Sequence, residues 1–108
     1  MPYLVTDSLT AEYIKFAANG FLATKIVYAL QIRQAAQHAG ADYDAVVQGL
    51  SLDPRIGGGD EWWLEGLDDE CLPKDLEAFL HLLRDWQSDA GLLEAVSQLS
   101  RPGVDLVE

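Results

Sequence analysis

The stretch "DDECLPKDLEAF", Asp68 to Phe79, holds the only cysteine of the chain. A thiol attacks carbon or binds metal as its thiolate. Pro73, two residues on, fits the first turn of a helix. The positive end of that helix would favour a thiolate at Cys71. Asp68, Asp69 and Glu70 oppose it, because negative neighbours disfavour a second anion. The other reading of Cys71 is a small buried hydrophobe.

A second constellation is Lys15 with Asn19, four residues apart and so on one face of a helix. That face is otherwise apolar. The lysine either carries its ammonium out to solvent along its stem or is held for a purpose. Asparagine is disfavoured inside helices, so its amide calls for a partner. Arg55 follows Pro54 and precedes consecutive glycines. A loop arginine there either clamps a phosphate or carboxylate or stays solvated. Trp62 and Trp63 are adjacent, which turns one ring inward and the other outward or into a partner. His38 and His81 have no metal-ligand spacing, and one cysteine excludes a cysteine-based zinc site, so no metal is expected.

The elements that must position these residues read as helices. From about Ser8 to Ala39 there is no proline and only Gly20. Thr6, Ser8 and Thr10 offer N-caps, and Gly40 a C-terminal stop. Roughly thirty residues at about 1.5 Å of rise give a helix about 45 Å long, more than one small core requires. Tyr13, Ile14, Ala17, Phe21, Ile26 and Leu30, with other apolar residues, wrap most of its circumference. A helix apolar nearly all round is covered on more than one side. A second copy of the chain supplies that cover, and the small residues Ala17, Ala18, Gly20, Ala23 and Ala29 permit close approach. A homodimer is expected, with Ala18, Phe21, Leu22 and Ala29 in the interface. A second helix is expected at about Asp42 to Leu50, capped by Asp42, with Val46, Val47 and Leu50 inward. Pro54 and the three consecutive glycines at 57–59 break structure. A third helix starts near Pro73 and runs to about Trp86. A last one, capped by Ser88 or Asp89, runs to about Leu99, and 101–108 is a tail. No segment alternates with period two. The class is all-α, one long helix and three shorter ones in a single domain over residues 1–108.

Composition removes several functions. The formal net charge is −11, so no basic face neutralises phosphates; neither nucleic acid nor an anionic membrane is an expected partner. No run of about 18 apolar residues occurs, and the N-terminus lacks the pattern of a secretory signal. With one cysteine, a reducing cytoplasm is the expected compartment. Residues 60 to 85 carry nine acidic residues against Lys74 and Arg84. They form a solvated face or a surface for a basic partner protein.

Three stretches in order, "AEYIKFAANGFLATKI" (Ala11 to Ile26), "GADYDAVVQGLSLDPRIG" (Gly40 to Gly57) and "CLPKD" (Cys71 to Asp75), resemble the central domain of the UDP-glucose/GDP-mannose dehydrogenases. The resemblance covers about residues 8 to 85. It implies a helical domain like the C-terminal domain of 6-phosphogluconate dehydrogenase, paired through its long helix. In the full-length family, NAD takes two hydrides in succession from the sugar C6 alcohol, and the cysteine carries the intermediate as a thiohemiacetal and then a thioester. By resemblance Cys71 is the nucleophile, Lys15 and Asn19 stabilise oxyanions, and Asp75 positions water or the lysine. Arg55 reaches the sugar of the neighbouring subunit. The chain departs from the pattern at "GLDDEC", Gly66 to Cys71, where the family has glycines. It also has no G-x-G-x-x-G after a strand. No cofactor is therefore expected on this chain alone, and NAD is implied only for the full-length family. The expected role is a stand-alone or excised dimerisation domain, not catalytic by itself. The alternatives are an acidic dimeric adaptor and one component of a split dehydrogenase with a separate NAD-binding partner.

Overall fold

A computed structural model describes residues 6–57 and 71–100, the first three of the second segment through their backbone alone. Four helices lie among the described residues: α1 Ser8–Ala39, α2 Tyr43–Ser51, α3 Cys71–Asp85 and α4 Gly91–Leu99. The described residues contain no strand, so the all-α expectation holds.

Asp7, and none of the three hydroxyl residues expected, caps α1. Its carboxylate accepts from the Thr10 amide at 2.7 Å and from the Thr10 hydroxyl at 3.0 Å. An ionised acceptor makes the stronger bond to an orphan helix amide, and Thr10 becomes its donor. These bonds hold the Asp7 carboxyl below its ordinary range. At the other end Gly40 takes a left-handed φ of 79°. Ala41 N–H reaches back to the Ala36 carbonyl at 2.9 Å, which closes the last turn. Asp42 caps α2 as expected, accepting from Asp44 and Ala45. The cap expected from Ser88 or Asp89 is not made: the N-cap of α4 is Ala90, without a side-chain bond, and Asp89 one residue earlier accepts from the Gly91 amide at 3.0 Å, two residues on.

The chain covers α1 on opposite sides at its two ends. Phe16, Gly20, Ala23 and Val27 recur at helical spacing and face α3 and α4. Ala23 and Val27 bury with Leu76 and Val96. Phe79, Leu80 and Leu83 form a neighbouring cluster that takes in Phe16 and Leu93. Aromatic contacts fasten the N-terminal half of α1. Phe16 stacks on Phe79 at 5.8 Å, and Tyr13 meets Phe79 edge-on at 5.5 Å and stacks on Trp86 at 6.2 Å. Since Tyr13 stacks on Trp86 while Val27 buries with Leu76, α1 and α3 run antiparallel.

Helix α2 packs on the other side, further along. Ala29 and Val47 bury together, with Tyr43 and Leu50 against them. The Tyr43 hydroxyl donates to the Ala29 carbonyl at 3.4 Å, and the Arg33 guanidinium lies 5.4 Å from its ring. Burial pushes the Tyr43 phenol up. Ala29 was expected in a dimer interface. It is instead 1% exposed, covered by the α2 of its own chain. Ala18 and Leu22 share its side of α1 but lie beyond the reach of so short a helix. They are exposed, together with Ile14 and Phe21. No described helix is long and apolar enough to cross a membrane.

Two substitutions test this packing. A Cβ on Gly20 would meet Leu93 Cδ2 at 3.6 Å and Leu76 Cδ1 at 3.9 Å, ordinary contact distances. Gly20→Ala should therefore stabilise the domain by about 0.5–1 kcal/mol, seen as a melting point several degrees higher. Leu76→Ala empties a fully buried site and should cost about 3 kcal/mol in denaturant unfolding. A loss below about 1 kcal/mol would contradict the core described here.

Candidate active site

Of the residues expected to do chemistry, the structure brings two into direct contact. The Asn19 amide donates to Asp75 Oδ2 at 2.6 Å. Both side chains are half-buried, and the bond ties α1 to α3. The disfavoured mid-helix asparagine thus has the partner its position calls for. One N–H and the carbonyl of the Asn19 amide remain for other use.

Cys71 and Lys15 flank that bond on opposite sides along the helix axes. Cys71 is the first residue of α3, one turn before Asp75. Lys15 stands one turn before Asn19 on α1 and is exposed. In antiparallel helices these two steps point in opposite directions, each about 6 Å of rise. Asn19 and Asp75 therefore lie between the ammonium-bearing and the sulfur-bearing turns. Among the described residues Lys15 forms no ion pair. Lys74 is exposed on α3. The acidic residues 68–70 and the tryptophans 62 and 63 lie outside the described residues.

Arg55 is elsewhere. It sits on the turn after α2, and α2 meets α1 at Ala29, ten residues, or about 15 Å of rise, from Asn19. Its side chain is 88% exposed. The Asp53 carboxylate accepts from Arg55 Nη2 at 2.8 Å, from Nε at 3.1 Å and from the Arg55 backbone amide at 2.9 Å. The guanidinium, and then the amide, hold the Asp53 carboxyl below its ordinary range. Asp53 was missed in the sequence, although an aspartate two residues before an arginine at a helix end is the signature of such a turn. His38 and His81 are both exposed, and no group of three or more potential ligands among the described residues could hold a metal ion. The described residues do not fit a dinucleotide. A pyrophosphate cradle needs a strand running through a glycine turn into a helix, and they are four helices joined by turns.

This is a helical domain that carries a lysine–asparagine turn on its long helix and a cysteine–aspartate turn on the helix facing it. The chain belongs to the UDP-glucose/GDP-mannose dehydrogenase family, whose central-domain model matches residues 9–101. Among the similar proteins are the UDP-glucose 6-dehydrogenase of Rickettsia typhi, 37% identical over 94% of this chain, and the UDP-glucose 6-dehydrogenase TuaD of Bacillus subtilis, 39% identical over 88% of it. A second Bacillus subtilis enzyme, UDP-glucose 6-dehydrogenase YwqF, is 36% identical over 93%. The chain spans only 24%, 21% and 23% of those three relatives, so the matched part is their central domain.

The tie between α1 and α3 is measurable. A double-mutant cycle on Asn19→Ala and Asp75→Ala should give a coupling of about 1–2 kcal/mol in unfolding free energy. Additivity within about 0.3 kcal/mol would mean that the bond does not form in solution.

Proposed function

We propose that this chain acts as the subunit-pairing central domain of a nucleotide-sugar 6-dehydrogenase and does not turn over by itself. One observation carries the pairing. On the side of α1 opposite α3 and α4, Ile14, Phe21 and Leu22 are 47%, 63% and 43% exposed, with the small residue Ala18 among them. Covering that stripe removes apolar surface from water at about 25 cal/mol per Å², and Ala18 lets a second backbone approach closely. The stripe continues into Ala29, which α2 already covers.

The same reading gives the site its parts. Asp75, held by Asn19, is a fixed acceptor between the turns that carry Lys15 and Cys71. Cys71 opens α3, and the role of nucleophile comes to it from the family motif. Lys15, exposed on α1, is the cation that meets a developing oxyanion. Within one chain no described contact joins Arg55 to these residues, which agrees with a role for Arg55 in the site of the paired subunit. Substrate, nicotinamide and cytoplasmic location come to this reading from the family. The family match also favours it over an acidic adaptor.

Sedimentation at tens of micromolar should return the mass of a dimer, and Phe21→Glu or Ala18→Glu should return a folded monomer. Ala29→Glu should unfold the chain and not merely split it, because that side chain lies in the monomer's own core. A wild-type monomer at that concentration removes the proposal. For the thiol, iodoacetamide should label Cys71 near neutral pH faster than it labels a model thiol, and equal or slower labelling counts against the nucleophile.

A further inference from the structure

The turn after α2 is built around one side chain. The Asp53 carbonyl accepts from the amides of Ile56 and Gly57 at 2.9 and 3.2 Å, and its carboxylate takes the three bonds from Arg55. Gly57 adopts φ 86°, so the chain turns away directly after the arginine. Ion pairs this exposed contribute little to stability. A free arginine in the same place would move among many rotamers. Here the carboxylate occupies one edge of the guanidinium, formed by Nε and Nη2. Both N–H groups of Nη1 and the second of Nη2 are left without a partner among the described residues.

We propose that Asp53 is a positioning residue for Arg55, fixing the guanidinium so that its unoccupied edge meets the hydroxyls of the sugar bound by the paired subunit. This rests on the reading of Arg55 given above and adds the residue that aims it. Two consequences of the geometry suit the task. Part of the ordering of a long side chain is done before the ligand arrives, so less entropy is lost on binding. The carboxylate also offsets the charge of the guanidinium, so the pair can meet uncharged hydroxyl groups without leaving a lone cation beside them.

Charge and positioning make opposite forecasts, which allows a clean test in this chain. Asp53→Asn keeps an oxygen for the Arg55 amide, and with it the turn, but loses the ionised acceptor. Circular dichroism establishes that the helices are retained. The Arg55 Nε–H resonance is then followed by NMR during titration with UDP-glucose. In the wild type it should be sharp, slow to exchange, and shifted by the ligand. In Asp53→Asn it should broaden, and the apparent dissociation constant should rise about tenfold, as expected for loss of a charge-assisted contact. Equal or tighter binding by Asp53→Asn would show that Asp53 only neutralises a surface cation, and would overturn the proposal while leaving Arg55 in the site. A wild-type resonance indifferent to UDP-glucose would remove the reading of Arg55 itself, and this inference with it.

Discussion

A helix of 32 residues sets the terms for the whole molecule. At about 1.5 Å per residue it is close to 48 Å long, which matches the longest dimension of the chain, 48 Å. Among the described residues three shorter helices of 9, 15 and 9 residues accompany it, none long enough to sheath the rod alone. They divide the work instead. The longest of them and α4 cover one side of the N-terminal half. The short α2 covers the opposite side further along. Among the large apolar residues of α1 that these helices leave exposed are Ile14, Phe21 and Leu22, with Leu9 and Tyr28 nearer its ends.

Much of this was legible because it depends on spacing along the chain. The existence and order of the helices, the Asp42 cap, the Gly40 stop and the place of Pro73 in the first turn of α3 all follow from local rules. So does the partner required by Asn19, though not its identity, since Asp75 comes 56 residues later. Assigning the sides of α1 was harder. Its apolar residues run nearly all round, so periodicity alone does not say which of them the chain keeps for itself. Ala29 shows the consequence. It shares a side with Ala18 and Leu22, yet α2 covers it, because where a nine-residue helix docks is a tertiary matter. Asp7 displaced the expected hydroxyl caps for a simpler reason: adjacent residues offered comparable caps, and the charged acceptor won.

The site residues show a similar division. Lys15 with Asn19, and Cys71 with Asp75, are each one helical turn apart, so sequence alone places each pair on one face. How the two faces meet depends on the antiparallel packing of α1 on α3. That packing sets Asn19 against Asp75 and leaves Lys15 and Cys71 on either side of the contact. A parallel arrangement with the same residues would have brought lysine and cysteine to the same level. The direction of one helix against another thus decides which groups can cooperate across it, and no pattern within either helix encodes that direction.

Pairing and chemistry also share a scaffold. The uncovered stripe and the Asn19–Asp75 contact occupy the same half of α1, separated by less than the roughly 10–12 Å diameter of a helix. Lys15 lies beside both, adjacent in sequence to exposed Ile14 and half-buried Phe16. Anything that settles on Ile14, Ala18 and Leu22 therefore packs against the backbone that carries the lysine. Residues three and four apart on a helix are neighbours on one face, so a mate on Ile14, Ala18 and Leu22 would stand beside Lys15. On the proposed reading, self-association does more than hold two subunits together: it sets a second chain beside the exposed turn that carries Lys15.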